Sequence, residues 1–174
     1  MEFMYLGIDP GVNGGLGLLY GNSAEGYPMP DTAEKLWSIV KDVTSNIVTR
    51  AVIERVGGYV RGYDDEARAR GSRMFIFGQN YGQLLMALEA SGIHYEIVQP
   101  AVWQRGVGVS RITNHKPDGR ATKWRGLWQE SRSKFKSRLK ARAQELFPDV
   151  KITLNTADAL LIAWYARKCC EGRE

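Results

Sequence analysis

Three carboxylates in this sequence lie within apolar stretches, where an unpaired charge is costly to bury. Asp9 ends the run LGID, Glu54 lies within AVIERV, and Asp158 lies within ADALLIA. Each buried carboxylate needs a partner, which can be an arginine, a backbone cap or a metal ion. Because Mg²⁺ prefers oxygen ligands, acids from three distant segments that pack together indicate a site for a divalent cation.

Each acid taken singly also has a purely structural explanation. Asp9 precedes a Pro-Gly pair and can form a turn by accepting hydrogen bonds from its own backbone. Glu54 can pair with Arg55 or Arg50 at an edge of the sheet. Asp158 can lie in the first turn of a helix capped by Asn155, where a carboxylate faces the positive end of the helix dipole. The sequence leaves these alternatives open.

The elements that position these acids follow from hydrophobic periodicity and from turn-forming residues. Strands alternate with helices after an initial run of three strands, which predicts an α/β fold of three layers. We predict strands at 3–9, 14–20, 25–29, 51–56 and 94–100, helices at 31–48, 74–90, 131–147 and 156–170, and a loop at 57–73. The chain is expected to form a single domain, 1–174, with a basic insertion at 105–130.

Composition excludes several classes of protein. With 174 residues and 44% hydrophobic content, the chain can bury a substantial core. No apolar run approaches the roughly 18 residues of a membrane span, and the N-terminal MEFMYLGID resembles neither a secretory signal nor a transit peptide. The cysteines, Cys169 and Cys170, are adjacent and cannot staple the fold. We therefore expect a reduced, cytoplasmic protein, or an organellar one if a transit peptide has been removed.

Positive charge is concentrated in one segment. The chain has a net charge of +5, but residues 105–142 hold twelve Lys and Arg against two acids, a local charge of +10. The remainder carries a charge of −5. Such a localised excess predicts a polyanionic partner, and nucleic acid is the principal candidate.

The predicted helix at 131–147 carries its cations in two rows. Lys134, Arg138 and Arg142 recur every fourth residue, and Lys136 and Lys140 form the neighbouring row. Rows of long cations can follow DNA phosphates and release their counterions. The alternative is an ordinary solvated amphipathic helix, although 132–142 contains no acid.

The predicted helix at 74–90 has apolar residues on more than one face. One face must pack against the sheet. The surplus predicts a contact with a partner subunit, and a symmetric homodimer would satisfy it.

Several short motifs, in order along nearly the whole chain, carry a family resemblance. They are IDPG, IER, GQNYGQLL, IVQPAVWQRGVGV, KSRLKARAQELF and ADALLIA. Together they resemble the RuvC-type Holliday junction resolvases, which belong to the ribonuclease H-like superfamily and include phage and chloroplast enzymes. The resemblance implies a ribonuclease H-like mixed sheet, with three antiparallel strands followed by parallel strands, flanked by helices.

The resemblance also implies a metal-dependent endonuclease that binds two Mg²⁺ ions, with Mn²⁺ as a substitute. Asp9 would contact both ions, Glu54 and Asp158 one ion each, and Lys136 would lie beside the scissile phosphate. The glycines after Asp9 would keep its approach open. A homodimer would place paired symmetric nicks in a four-way DNA junction and leave 5′-phosphate and 3′-hydroxyl ends.

The sequence departs from the family pattern at Asn155, where an acid or a histidine is usual. An i, i+3 pair at a helix start shares one face, so Asn155 remains a catalytic and metal-ligand candidate beside Asp158. An amide oxygen is a weaker ligand than a carboxylate. Asn155 is therefore either the natural ligand or an inactivating substitution.

Two further segments are candidate DNA contacts. The insertion interleaves Lys123 and Arg125 with Trp124 and Trp128, a pattern suited to unstacked bases. The alternative is a loop whose tryptophans pack on the core. In the loop at 57–73, the resemblance implies an aromatic that enters the crossover of a junction. Gly57 stands where the family often has one, so Tyr59 or Tyr63 would have to replace it.

Other functions remain open at this stage. A ribonuclease H or a less selective branched-DNA nuclease would share the fold and the basic segment, because phosphate contacts do not specify DNA shape. A junction-binding protein that has lost cleavage is the third possibility, supported by Asn155. An actin-like ATPase would need a second glycine-rich loop and about twice the length, and the sequence has neither.

Overall fold

The computed structural model describes residues 3–44, 49–57, 65–115 and 127–172. Within these ranges the chain forms a five-stranded sheet, a separate two-stranded sheet and flanking helices. The strands are β1 (Met4–Asp9), β2 (Gly15–Tyr20), β3 (Ser23–Pro28), β4 (Thr49–Glu54), β5 (His94–Val98), β6 (Thr113–His115) and β7 (Leu127–Gln129). The helices are α1 (Ala33–Thr44), α2 (Asp65–Ala90), α3 (Pro100–Gly106), α4 (Arg132–Leu146) and α5 (Leu154–Glu171).

The main sheet has the strand order β3-β2-β1-β4-β5. The first three strands are antiparallel neighbours, whereas β4 runs parallel to β1 and β5 runs parallel to β4. This topology confirms the predicted α/β fold with three antiparallel strands followed by parallel strands. The central position of β1 explains why its residues from Tyr5 to Asp9 are buried.

Both faces of the main sheet are covered, as the three-layer prediction requires. Leu6 and Ile8 of β1 face a buried cluster that includes residues of α1 and α2. Tyr5 faces the opposite cluster, which is formed with α3, α4 and α5. Because successive residues of a strand point to opposite faces, Gly7 and Asp9 share the α5 face with Tyr5.

Helix α5 lies directly on the backbone of β1 and β2. A Cβ added at Gly7 would lie 2.2 Å from the Ala159 carbonyl oxygen, and one added at Gly17 would lie 2.5 Å from the same atom. The helix presents the small side chains of Ala159 and Ala163 at this contact. The expectation that the glycines after Asp9 keep its approach open is wrong for Gly17, which instead allows close packing of α5.

Several predicted boundaries differ from those of the structure; the strand predicted at 51–56, for example, is β4, Thr49–Glu54. The predicted loop at 57–73 is helical from Asp65 onward, because α2 begins there; charged residues and alanines in DEARAR favour a helix without an apolar stripe. The predicted strand at 94–100 ends at Val98, and Pro100 begins α3. Proline suits the first helical position because a backbone N–H at that position would have no acceptor within the helix. Its absence in proline therefore costs no hydrogen bond.

Helix α1 is described from Ala33 to Thr44, and the remainder of the predicted helix, 45–48, lies outside the described residues. Within the predicted insertion, β6 and β7 form an antiparallel pair. Among the described helices, none is both long enough and apolar enough to cross a bilayer.

Candidate functional site

Asp9 and Glu54 end neighbouring parallel strands. The register pairs Ile8 of β1 with Ile53 of β4, so the next residue of each strand lies at the same edge of the sheet. Val52, two residues before Glu54, belongs to the buried cluster on the α5 face, and strand alternation places Glu54 on that face as well. Asp9 is buried and Glu54 is half-buried.

Asp158 is brought to the same face by α5. Thr153 caps this helix and forms a reciprocal capping box with Thr156. Asp158 therefore lies beyond the first turn of the helix, and Asn155 lies inside that turn rather than at the cap. Asp158 is buried, and within the described part of the chain its Oδ1 atom has no hydrogen-bond partner.

Lys136, from α4, connects two of the acids. Its ammonium group donates a hydrogen bond to Asp158 Oδ2 and lies 3.9 Å from Asp9 Oδ2. These contacts join residues of α4, α5 and β1 that are far apart in sequence. Lys136 therefore brings a positive charge among the carboxylates, and its place beside a scissile phosphate stays a prediction.

Glu54 accepts a hydrogen bond from an unexpected donor. The indole Nε1 of Trp103 lies 2.7 Å from Glu54 Oε2, and Trp103 is completely buried. The alternative in which Glu54 pairs with Arg50 is not observed, since the Arg50 guanidinium lies 4.8 Å from the centre of the Phe3 ring. The partner of Glu54 is thus a neutral donor, and this hydrogen bond acts to lower the pKa of Glu54 against the effect of burial.

The carboxylates repel one another electrostatically. Burial raises the pKa of Asp9 to about 7; Asp158 and Glu54 act in the same direction, whereas Lys136 and Arg132 oppose the shift. Burial also raises the pKa of Glu54 and that of Asp158. Burial acts to lower the pKa of Lys136, but the neighbouring carboxylates raise it overall. A cation among these groups would relieve the repulsion.

The donor set fits a divalent cation in its chemistry. The unpartnered Oδ1 of Asp158 and the mutually repelling acids supply the hard oxygen ligands that Mg²⁺ prefers. In the described ranges, however, the side chains do not form a cluster of three or more His, Cys, Asp or Glu residues arranged to hold a metal. Asn155 is half-buried one turn before Asp158.

The two cation rows of α4 do not all face solvent. Arg138 donates a hydrogen bond of 2.6 Å to the buried Glu130, and Arg142 donates to the Val107 carbonyl and to Glu145. These contacts give both arginines a role within the fold, which the sequence prediction did not include.

Lys134 is exposed and Lys140 half-exposed on the same helix. These two remain predicted phosphate contacts. Tyr59, Lys123 and Arg125, the other predicted DNA contacts, lie outside the described residues.

Sequence reasoning missed Trp103 and Glu130. Nothing in the motif QPAVWQRG indicates that Trp103 would donate a hydrogen bond to Glu54, which lies 49 residues earlier in the chain. Glu130 had a detectable signal, because it is one of two acids in the basic segment. Its Oε1 atom accepts hydrogen bonds from the Ile112 backbone N–H as well as from Arg138, and it therefore joins the start of the insertion to α4.

The strand order and the flanking helices define a ribonuclease H-like fold. A structure of T. thermophilus RuvC in complex with a Holliday junction substrate matches with a TM-score of 0.57 and 16% identity, over 99% of this chain and 96% of that chain. A Thermus thermophilus RuvC structure matches with a TM-score of 0.52 and 15% identity, over 99% and 97%. No protein-family model and no curated protein matches the sequence.

Proposed function

We propose that this protein is a structure-selective endonuclease that hydrolyses phosphodiester bonds in four-way DNA junctions. The single observation that carries the proposal is the gathering of Asp9, Glu54 and Asp158 on one face of the sheet edge, with Lys136 bonded among them. These residues come from four different elements, and their electrostatic coupling distinguishes the arrangement from isolated buried acids.

In this proposal Asp9, Glu54 and Asp158 hold two Mg²⁺ ions, which Mn²⁺ can replace, and Asn155 adds a weaker amide ligand. The ions would activate the attacking water and stabilise the leaving 3′ oxygen. Lys136 would supply positive charge to the phosphate as negative charge develops on it. The products would carry 5′-phosphate and 3′-hydroxyl ends.

Branched DNA as the substrate is supported by charge and by the structural likeness. Residues 105–142 carry a net charge of +10, and Lys134 is exposed on the helix that also carries Lys136. The matching RuvC structure holds a Holliday junction substrate. Tyr59, Lys123 and Arg125 are proposed as further DNA contacts.

A homodimer is part of the proposal, because two symmetric nicks require two active sites. Helix α2 exposes Phe75, Ile76 and Met86, whose exposed fractions are 69%, 54% and 66%. Burying them against the same helix of a second copy would form an isologous interface. Such an interface would bury the apolar side chains of α2 that do not pack against the sheet, as the sequence pattern predicts.

The test incubates the protein with four-way, three-way and linear duplex DNA, and with an RNA–DNA hybrid, in Mg²⁺ or Mn²⁺. Paired nicks confined to the four-way junction, absent in Asp9→Asn, would support the proposal. Equal cleavage of the other substrates would favour a less selective branched-DNA nuclease or a ribonuclease H. Tight junction binding without cleavage in either metal would favour a junction-binding protein, for which Asn155 is the supporting residue.

A further inference from the structure

We propose that Trp103 is a positioning residue that holds Glu54 in the orientation required for metal binding. The inference rests on the proposed function, because it assigns a role toward the same cation site. It concerns a residue outside the set of acids and cations that the sequence identifies. Its basis is one buried hydrogen bond between α3 and the end of β4.

The hydrogen bond is well placed to fix the carboxylate. Trp103 Nε1 lies 2.7 Å from Glu54 Oε2, and the indole ring is completely buried. Val52 of β4 and Trp103 belong to the same buried cluster, so the ring packs in the core while its N–H reaches the strand end. One oxygen of Glu54 is then bonded, and the other is left for an ion.

The helix that carries Trp103 is itself held firmly. Pro100 is the first residue of α3. At the other end of the helix, the Val107 backbone N–H donates a hydrogen bond of 2.9 Å to the Trp103 carbonyl. Arg142 of α4 donates to the Val107 carbonyl at 3.1 Å. The indole donor therefore has a defined position relative to β4 and α4.

The chemistry of indole suits this role better than a charged donor would. Its N–H donates but cannot accept, so it bonds a carboxylate without competing for a cation. It is also neutral, so it does not cancel the negative charge with which an ionised Glu54 would attract a metal ion. An arginine at this position would neutralise that charge. Hydrogen-bond partners of metal ligands commonly change metal affinity by about 10- to 100-fold when removed.

The test removes the N–H and keeps the shape of the side chain. Trp103 is replaced by β-(3-benzothienyl)alanine, in which sulfur replaces the indole N–H. The matched control makes the same replacement at Trp164, whose ring lies near the charged groups of Arg142 and Lys168. Mn²⁺ binding is measured by the electron paramagnetic resonance signal of the free ion, and folding by the melting temperature without metal.

We expect the Trp103 replacement to weaken Mn²⁺ binding about 10- to 100-fold, with the control unchanged. In a Glu54→Gln background the same replacement should have little further effect, because the carboxylate it positions is gone. Wild-type affinity in the Trp103 variant would overturn the inference alone. Failure of the wild-type protein to bind Mn²⁺ would overturn both the inference and the proposed nuclease.

A second measurement remains decisive if the replaced protein does not fold. In wild-type protein labelled with ¹⁵N at the indole nitrogens, the Trp103 resonance should shift on addition of Mg²⁺ and in Glu54→Gln. The Trp164 resonance serves as the internal reference. A Trp103 resonance that is insensitive to both changes would contradict the inference.

Discussion

The ammonium group of Lys136 is hydrogen-bonded to Asp158, a buried residue of the neighbouring helix α5. The same group lies 3.9 Å from Asp9 on the central strand. Repulsion between Asp9 and Asp158 is therefore relieved by a side chain from a third element. The positive charge of Lys136 thus offsets the negative charges of Asp9 and Asp158, and this has several measurable consequences.

Replacing Lys136 by methionine keeps most of the side-chain length and removes the charge. We expect the cleavage rate at saturating Mg²⁺ to fall about 10²- to 10³-fold, the typical cost of losing a preorganised group that stabilises developing charge. Single-turnover cleavage of a four-way junction measures this effect. Lys151→Met is the control, because Lys151 is exposed and lies outside the proposed DNA contacts, and it should retain most activity. A Lys136→Met rate equal to that of the control would exclude the assigned role.

The stability of the metal-free protein should change with pH because of the raised pKa of Asp9. Its pKa is raised from 3.8 to about 7 by burial, so the folded protein retains a proton that the unfolded chain releases within that range. The free energy of unfolding should therefore fall as the pH rises from about 4 to 7, and this contribution should level off above pH 7.

Urea unfolding of wild type and Asp9→Asn at several pH values tests this prediction. The difference between the two proteins should change by a few kcal/mol, in order of magnitude, across the range. Glu54 and Asp158, whose pKa values are also raised, act with the same sign in both proteins, so the difference reports Asp9 together with its coupling to these two acids. Parallel curves for the two proteins would refute it.

Gly7 should tolerate no side chain. A Cβ there would lie 2.2 Å from the Ala159 carbonyl oxygen and from the Ala163 backbone nitrogen, so Gly7→Ala must displace α5. We expect a loss of about 1–3 kcal/mol in stability, together with reduced cleavage because Asp158 moves with the helix. Gly78→Ala in α2 is the control, since its Cβ would meet nothing within 4 Å and alanine favours a helix by about 1 kcal/mol. Equal melting temperatures for the two variants would contradict the close packing.

Arg138 should contribute to stability through Glu130. Arg138→Met leaves the buried carboxylate of Glu130 without its cation, and we expect a loss of about 1–3 kcal/mol, reduced from the cost of a fully buried pair because Arg138 is partly exposed. The double variant with Glu130→Gln should recover part of this loss, since both charges are then absent while an amide oxygen can still accept from the Ile112 N–H. Chemical denaturation of the two variants measures the difference. A double variant less stable than Arg138→Met would argue against the pairing as its cause.

Asn155→Asp should keep or increase metal-dependent cleavage. A carboxylate one turn before Asp158 would bind Mg²⁺ more strongly than the amide. Titration of cleavage against Mg²⁺ above pH 7, where Asp9 is largely ionised, should show half-maximal activity at a lower metal concentration. Asn155→Ala is the control and should require more metal. A clear loss of cleavage in Asn155→Asp would mean that the site is wrongly placed.

Local sequence patterns were sufficient for most of the fold. The apolar strands, the capped helices and the order of elements follow from periodicity, and the structure confirms the predicted mixed sheet. The errors fall where local signals are ambiguous. Asp65 and the residues after it lack an apolar stripe although they are helical, and Pro100 both follows a strand and begins a helix.

By itself, the sequence determined which residues are too costly to bury without a partner, and it thereby identified Asp9, Glu54 and Asp158. It could not determine what those partners are. Lys136 and Trp103 reach the acids only because Gly7 and Gly17 admit α5 onto the sheet and because α3 and α4 pack beside it. Such contacts depend on distances between elements remote in the chain, and only tertiary packing decides them.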